Sequence, residues 1–368
     1  RHHCDCLYRS GWYGSGGGMA VTEHKQTMRL LLAAAVMTLG LAVVLASRSW
    51  RPRPEYEDML EAANRAQAAF QAVKEEGLRR GLSIQKADDP NETGLIGDYL
   101  TPITTTLGNL EAKRTSVNPN AAALVVRLLY DAGVRPGDRI AVNCSASFPA
   151  LNLAVLCAMD AMELEGMVFS SIGASTYGAN REEFTYPDME YILFENGYIH
   201  HKSEFVSFGG ANDQGLEFSE EVKETIRTRL AELGCSLWEM DNLEENIQAR
   251  LDRYGSVDCF VNVGGNLVST GGSTAYDSGS GLLKRGSDSR GLIGQYLAQD
   301  IPVLHLLNLK QLFPRYGLPV DPIPVPQPGE GNIYYEQTVS LPLVWLTLAA
   351  GIWMLIWAGK GTGTRQPL

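Results

Sequence analysis

The chain has little of several residue types on which whole classes of protein depend. Its 368 residues include 6 cysteines and 6 histidines, and 42 acidic residues outnumber 31 basic ones, so the formal net charge is −11. This acidity, without a compensating basic stripe, argues against a nucleic-acid partner. The chain also lacks a G-x-x-x-x-G-K-[ST] loop, which disfavours a nucleotide-dependent ligase. The 45% hydrophobic content and the 38 glycines are instead typical of a globular α/β protein.

The central cysteines predict neither a disulfide framework nor a zinc site. Cys144, Cys157, Cys235 and Cys259 have no Cys-x-x-Cys spacing. Cys144 and Cys259 flank apolar runs that are typical of strands, and Cys157 lies in an apolar stretch that is typical of a helix. We therefore expect buried free thiols.

The first 27 residues differ in composition from the rest of the chain. Four potential metal ligands stand near the start: His2, His3, Cys4 and Cys6. The sequence begins with Arg1 rather than methionine, and Met19 or Met28 could each be a start. We therefore interpret residues 1–27 as a disordered or spurious extension and predict no metal site.

Two long hydrophobic runs predict membrane-spanning helices, at residues 28–47 and 338–358. Each has about the 20 apolar residues that cross a bilayer. The first run could instead be a cleaved signal peptide, because residues 44–46 resemble a small-residue cleavage site. The second could instead be a buried core helix. We favour a signal anchor and a second span, followed by a short tail at 359–368.

Basic residues near these runs predict the side of the membrane. Lys360 and Arg365 follow the second run, so the positive-inside rule places that end in the cytoplasm and the intervening residues outside. The first run disagrees, because arginines at positions 48, 51 and 53 follow it, against Lys25 and Arg29 before it. We expect a cell-membrane protein whose soluble part lies on the extracytoplasmic side.

Residues 55–318 predict one α/β domain. Apolar periodicity predicts helices at 57–80, 119–132, 149–163, 187–196 and 218–233, and strands at 139–144, 166–171, 204–208, 257–263 and 301–307. Strands separated by helices of this length indicate a mostly parallel sheet of about five strands with flanking helices. The Gly/Ser-rich residues 275–290 predict a mobile loop. The proline-rich residues 319–337 predict a stiff tether to the second span.

Three of the apolar runs end in small polar turns, at residues 143–147, 170–175 and 264–270. Parallel strands place their carboxyl ends at one edge of a sheet, and helix N-termini at that edge offer free N–H groups and a positive dipole end. Such groups suit an anion or an oxyanion. The sequence therefore predicts a site at this edge, without specifying a reaction.

Two serines in the first turn admit two interpretations. Ser145 or Ser147 could be a nucleophile, with helix N–H groups as the oxyanion site and His305 as the base. The turn does not read G-x-S-x-G, and a serine just ahead of Pro149 commonly caps a helix, so capping or ligand contact is favoured. His305 is a single histidine in an apolar run, where a satisfied core side chain is the commoner role.

The second turn and the segment after it offer candidate anion ligands. Ser171, Gly173, Ser175 and Asn180 could bind a phosphate or carboxylate, although glycine and serine also fill ordinary turns. Asp188 could be a metal ligand or a general base. Its place in the first turn of a predicted helix favours an interaction with the helix dipole instead.

The third turn is the strongest candidate for ligand binding. Gly264 and Gly265 precede Asn266, and a second glycine pair follows at 271–272. Glycines let backbone approach a ligand closely, although a tight strand exit also needs them. Residues 209–213 have a similar composition and are a weaker candidate.

One pair of basic residues stands in a Thr/Gly-rich stretch. Lys113 and Arg114 follow a run of threonines that includes Thr105. Two adjacent cations form a candidate carboxylate clamp, with solvated surface charges as the equal alternative.

Several long phrases of the chain resemble the poly-gamma-glutamate system protein family. In order from residue 93 to about 310 they are TGLIGDYLTPITTTLGNLEAKRT, SASFPALNLA, SIGASTYGAN, FTYPDMEYIL, GGANDQG, FVNVGG and PVLHLLNLK. Members of this family accompany the ligase and membrane subunits of poly-γ-glutamate synthesis. The resemblance therefore implies a process, which is the making, export or anchoring of this polymer. It assigns no catalytic residue and no cofactor.

Two functional hypotheses follow from the residues and the resemblance. The first is a membrane-anchored accessory protein that binds the polymer or the synthase subunits through its α/β domain. The alternative is a hydrolase or transpeptidase acting on γ-glutamyl amide bonds, with Ser145 or Ser147 as nucleophile and His305 as base. A polycarboxylate suits helix N-termini and Gly/Ser turns, but the acidity of the chain restricts any polymer binding to a local site.

Overall fold

The computed structural model describes residues 16–360. The four potential metal ligands near the start, Arg365 and most of the short tail lie outside these residues. The described chain divides into two compact units, one made of residues 16–51 with 336–360 and one made of residues 52–335. We refer to them as the terminal unit and the α/β unit.

The described residues form thirteen α-helices and eleven strands. The helices are α1 (Gly16–Ala46), α2 (Tyr56–Arg79), α3 (Leu110–Ser116), α4 (Asn120–Ala132), α5 (Pro149–Ala161), α6 (Tyr186–Glu195), α7 (Glu220–Glu232), α8 (Leu243–Tyr254), α9 (Leu267–Thr270), α10 (Thr274–Ser278), α11 (Gly291–Leu297), α12 (Leu309–Arg315) and α13 (Leu341–Gly359). The strands are β1 (Ser49–Pro52), β2 (Arg139–Cys144), β3 (Glu165–Ser171), β4 (Asn180–Arg181), β5 (Phe184–Thr185), β6 (Phe205–Ser207), β7 (Ser236–Leu237), β8 (Cys259–Val263), β9 (Gly281–Leu283), β10 (Val303–Leu306) and β11 (Tyr335–Thr338).

Seven strands of the α/β unit form one sheet in the order β7-β6-β3-β2-β8-β10-β9. All neighbours are parallel except β10 and β9 at one edge. The α/β class and the mostly parallel sheet are confirmed, but the expected count of about five strands was too low. The two additional strands are β7, which has only two residues, and β9, which lies in the segment expected to be a loop. Neither is long enough to produce an alternating apolar pattern.

Helices cover both faces of the sheet. Ile140 and Val142 of β2 pack in one core cluster with residues of α2, α4 and α5. Ala141 packs on the opposite face with residues of α8 and α11. Because α2 and α4 pack against α5, every residue from 149 to 159 is buried, which explains why this helix is apolar all round.

The proline-rich segment packs on the α/β unit up to residue 335. Asp321 forms an ion pair with Arg114, with a shortest N–O distance of 2.6 Å. Tyr334 is buried, and its hydroxyl donates to Oδ1 of Asn120 at 2.5 Å. These contacts hold residues 321–334 against α3 and α4.

The terminal unit contains two long apolar helices. Residues His24–Ala46 of α1 and Leu341–Gly359 of α13 are each long and apolar enough to cross a membrane. The helices touch where one of them has a glycine, because Gly40 faces Thr347 and Gly351 faces Met37. Small residues at such contacts let two helices approach closely. Most of their large apolar side chains remain exposed.

Candidate functional site

A cavity of about 470 Å³ lies at the carboxyl ends of the parallel strands. The turns after β2, β3, β6 and β8 all contribute to its lining. The chain runs outward from β2 to β7 and then returns to β8 on the other side of β2. Such a switch point sends neighbouring loops in opposite directions and opens a crevice between them. The three polar turns singled out in the sequence meet here.

Most of the predicted site residues line this cavity. They are Thr105, Lys113, Ser145, Ser147, Ser171, Gly173, Ser175, Gly265 and Asn266. The remaining predicted residues do not line it: Arg114, Asn180, Asp188, Gly264 and His305.

Lys113 provides a buried cation in the cavity. The threonine-containing segment before Lys113 lies beside the turn after β3, where the Thr105 N–H donates to the Ala174 carbonyl at 2.8 Å. Lys113 is 2% exposed, and its Nζ contacts the carbonyl oxygen of Ser147 and lies 2.7 Å from Oγ of Ser175. Burial lowers the pKa of the Lys113 amine to about 7. No carboxylate of the described residues forms an ion pair with it.

The two serines after β2 bond to neighbouring backbone rather than cap α5. The residue at the N-cap of α5 is Phe148, and no side chain within residues 16–360 caps the helix. Oγ of Ser147 instead accepts a hydrogen bond from the N–H of Ser175 at 2.9 Å. Oγ of Ser145 accepts from the N–H of Ser147 at 3.3 Å. The expected helix cap was therefore wrong for Ser147, because the neighbouring turn supplies a closer donor.

Gly264 brings the turn after β8 against the turn after β2. Its φ is +88°, and a Cβ at this position would lie 3.0 Å from Cβ of Ser145. A larger residue would therefore be strained and would collide with the first turn. Gly265 and Asn266 follow at the cavity wall, and their backbone N–H groups have no acceptor within the described residues.

A buried arginine holds the floor of the cavity. Arg250 of α8 is 1% exposed and pairs with Asp213 at 2.5 Å. Its Nη1 donates to Oδ1 of Asn143 at 2.5 Å, and its Nε donates to Oδ1 of Asn246 at 3.0 Å. Asn143 in turn donates to Oδ1 of Asn266 at 2.9 Å. The charge of Arg250 is thus compensated inside the protein, unlike that of Lys113.

His305 lies in the sheet beneath the third turn and is fully buried. Its Nδ1 is 2.9 Å from Nδ2 of Asn262, and its Nε2 is 2.8 Å from the carbonyl oxygen of Tyr276. The amide must donate to Nδ1, so Nε2 carries the proton and donates to the carbonyl. Burial also lowers the pKa of the His305 imidazole below its ordinary value. Neither nitrogen is free to accept a proton from Ser145 or Ser147.

Three other predicted residues have structural partners outside the cavity. Arg114 pairs with Asp321, so it does not form a clamp with its neighbour Lys113. The side chain of Asn180 hydrogen-bonds to the backbone N–H and carbonyl of Asp98. Asp188 completes a capping box at the start of α6, in agreement with the dipole interpretation, and is also in ion pairs with Arg80 and Arg229.

Sequence reasoning missed Arg250 and the helix that carries it. The signal was present, since Leu243, Ile247 and Leu251 are spaced four apart and Asn242 caps the helix by accepting from the Glu245 N–H. Asn143 was also recognisable as a polar residue inside an apolar strand. It pairs in register with Asn262, which pairs with His305, so polar side chains form a row across the sheet.

The thiols and carboxylates do not form a metal centre in the described part of the chain. Cys144, Cys157 and Cys259 are buried free thiols, and Cys235 is half-buried. No group of three or more His, Cys, Asp or Glu side chains within residues 16–360 is arranged to hold a metal ion.

Comparison of the chain with family models, curated proteins and solved structures gives no match.

Proposed function

We propose that this protein is a membrane-anchored accessory component of poly-γ-glutamate production or export, and that its α/β unit binds a carboxylate-bearing ligand. The ligand class is the polymer, its chain end or a γ-glutamyl fragment, and the protein partners are the synthase subunits. The observation that carries the proposal is the buried amine of Lys113, which lines the cavity without a carboxylate partner among the described residues.

The surroundings of Lys113 explain why a carboxylate fits. Burial of an ammonium group is costly unless an anion compensates its charge. The neighbours of Lys113 are a carbonyl, a hydroxyl and the ring of Phe148, whose centroid is 4.1 Å from Nζ. All of these are neutral. The acidic residues of the cavity are engaged elsewhere, since Asp213 pairs with Arg250 and Glu217 accepts from the N–H of Ala211. A ligand carboxylate would supply the missing charge.

Further donors lie around the same cavity. Oγ of Ser170 is buried and has no hydrogen-bond partner among the described residues. The N–H groups of Gly265 and Asn266 are similarly available. Two carboxylate oxygens can accept several such bonds, and charge-assisted bonds are the stronger ones. The volume of about 470 Å³ is within the range of small-molecule sites.

The terminal unit supports the membrane location in the proposal. Exposed apolar side chains cover the two long helices, such as Leu31 and Leu39 on α1 and Trp345 and Trp353 on α13. Apolar helices of this length are stable in a bilayer, where their exposed side chains meet lipid. Lys360 after α13 supports an extracytoplasmic α/β unit by the positive-inside rule, whereas the arginines at 48, 51 and 53 after α1 favour the opposite side.

Replacing Lys113 with glutamine should reduce the affinity for a γ-linked glutamate oligomer about tenfold or more, because one charge-assisted contact is lost. Titration calorimetry of the full chain in detergent micelles measures this.

Affinity of the unaltered protein should also fall as the pH rises through about 7, since the carboxylate binds the protonated amine. Lys310→Gln is the matched control, because Lys310 pairs with Glu111 outside the cavity. Equal binding by the Lys113 and Lys310 variants would contradict the proposed role of Lys113.

The assignment to polymer production predicts specific partners in the native membrane. Affinity capture of the tagged full chain, followed by mass spectrometry, should recover the poly-γ-glutamate ligase and its membrane subunit. A stable, properly folded protein that repeatedly purifies without either subunit would remove the support for an accessory role, whatever the binding experiment shows.

A further inference from the structure

We propose that Ser175 and Lys113 form a nucleophile–base pair that carries out acyl transfer in this cavity. The pair differs from the serines and the histidine expected from the sequence. It rests on one geometric fact: a serine hydroxyl and a buried lysine amine are 2.7 Å apart, and both line the same cavity.

The position of the amine fits the role of a base. A neutral lysine amine has two N–H bonds and one lone pair. In the structure Nζ donates both to the Ser147 carbonyl and to Oγ of Ser175. Once the amine is neutral, one N–H keeps the bond to the Ser147 carbonyl, and the lone pair is within hydrogen-bond distance of the Ser175 hydroxyl and can take its proton. The ring of Phe148 packs against the amine, with its centroid 4.1 Å from Nζ. Ser–Lys pairs are an established variant of serine-based acyl transfer.

Among the serines of the cavity, the hydroxyl of Ser175 is the one bonded to a basic side chain in the described chain. Oγ of Ser147 accepts from the Ser175 N–H, and Oγ of Ser145 accepts from the Ser147 N–H. Lys113 contacts Ser147 only through its carbonyl oxygen. Activation of a nucleophile requires a base within hydrogen-bond distance, so this geometry selects Ser175.

Burial lowers the pKa of the Lys113 amine to about 7. Near neutral pH the free amine is therefore well populated, as a general base requires. The other charged groups of the cavity are Asp213, Glu217 and Arg250. On the same helix as Lys113, Glu111 forms an ion pair with Lys310 of α12, and Arg114 forms one with Asp321. Desolvation is therefore the cause of the lowered pKa.

The reaction is an acyl transfer in two balanced steps. Oγ of Ser175 forms a bond to the carbonyl carbon of an amide or ester while its proton moves to Nζ of Lys113. The bond from that carbon to the leaving nitrogen or oxygen breaks, and Lys113 returns the proton to the leaving group. Water or an amine then attacks the acyl-serine by the reverse sequence and frees Ser175. Leu107 and Asn109 also line this cavity, and their backbone N–H groups have no acceptor among the described residues. They are our candidates for the oxyanion site.

The geometry of the pair does not depend on the proposed binding of γ-glutamate. Only the identity of the acyl group that is transferred rests on that proposed function. If the ligand is a γ-glutamyl chain, the amide attacked is a γ-glutamyl amide. The two roles require opposite forms of Lys113, since an anion binds the ammonium and the nucleophile needs the free amine. Binding should therefore weaken above about pH 7, whereas acylation should become faster.

An alkyl fluorophosphonate probe tests the pair, because it transfers phosphorus to an activated serine and releases fluoride. We expect the full chain in detergent micelles to gain one adduct, mapped by mass spectrometry to Ser175. The labelling rate should rise about tenfold per pH unit up to about 7 and then level off. Ser175→Ala should abolish labelling, Lys113→Gln should slow it about 100-fold, and Lys310→Gln should leave it unchanged.

An adduct on another serine, a rate that does not change across pH 7, or no adduct on the folded protein would each overturn the pair. The pH profile of the unaltered chain and the Ser175→Ala variant keep the test decisive if Lys113→Gln does not fold. Labelling of Ser175 without binding of γ-glutamate oligomers supports the pair and contradicts the binding proposal. Binding of oligomers without labelling of Ser175 contradicts the pair and supports the binding proposal.

Discussion

Replacing Arg250 with methionine should lower the free energy of unfolding of the α/β unit by about 3–5 kcal/mol, the usual cost of leaving one member of a buried ion pair unpaired. Asp213 would lose its counter-charge, and Asn143 and Asn246 would lose a donor. Arg250 also packs over Phe169, with 4.7 Å from Cζ to the ring centroid. Pulse proteolysis of the full chain in increasing urea measures the change.

A second variant separates the lost charge pair from lost packing. Adding Asp213→Asn removes the uncompensated carboxylate, so the double variant should be more stable than Arg250→Met alone. Asparagine also tolerates the positive φ of 66° at this position. Arg253→Met is the control on the same helix, since Arg253 is exposed and its guanidinium lies over the ring of Phe205, 4.8 Å from the centroid. If the two arginine variants have equal stability, the network does not hold the floor of the cavity.

The second large effect concerns Glu190, a buried carboxyl on α6 beside Tyr186 and Cys144. Ser203 donates to it through its N–H at 3.2 Å and its Oγ at 3.0 Å, and Lys202 is the nearby cation. Burial outweighs these interactions and raises the pKa of Glu190 from 4.5 to about 7. A shift of this size corresponds to about 3 kcal/mol.

The sign of the pH effect follows from the raised pKa. The folded state binds the Glu190 proton more tightly than the unfolded state, so this stabilisation is fully present below pH 4.5 and is lost as the pH rises through about 7. Glu190→Gln cannot ionise, and at pH 8.5 it should be more stable than the unaltered protein by up to about 3 kcal/mol. Urea unfolding between pH 5 and 8.5 measures the difference. Glu195→Gln, an exposed change on the same helix, should have no such effect, and a pH-independent Glu190→Gln difference would contradict burial as the cause.

The first of these predictions concerns residues that support the cavity from behind. Asp213, Asn143 and Asn266 connect the floor with the turns after β6, β2 and β8. A network of this kind holds each turn in one position and leaves the polar atoms facing the cavity available for a ligand. The stability of the floor and the selectivity of the site are therefore linked.

Local sequence patterns located the long elements well. The strand predicted at 139–144 is β2 itself, and the helix predicted at 149–163 differs from α5 by two residues at its end. These elements have strong apolar periodicity and clear starts, such as Pro149. The loop expected at 275–290 was wrong in part, because β9 forms only by pairing with β10. A three-residue strand has no pattern of its own, and its hydrogen bonds depend on a partner far along the chain.

The sequence by itself determined the α/β class, the two apolar terminal helices and the three polar turns at one edge of the sheet. Hydrophobic periodicity and run length depend on residues close together in the chain, so these features can be derived locally. Only the tertiary structure decided which side chains carry chemistry. It buried Lys113 beside Ser175, which is 62 residues away, paired Arg250 with Asp213, and engaged both nitrogens of His305. Burial and charge pairing depend on contacts between distant segments, and no local pattern of residues specifies them.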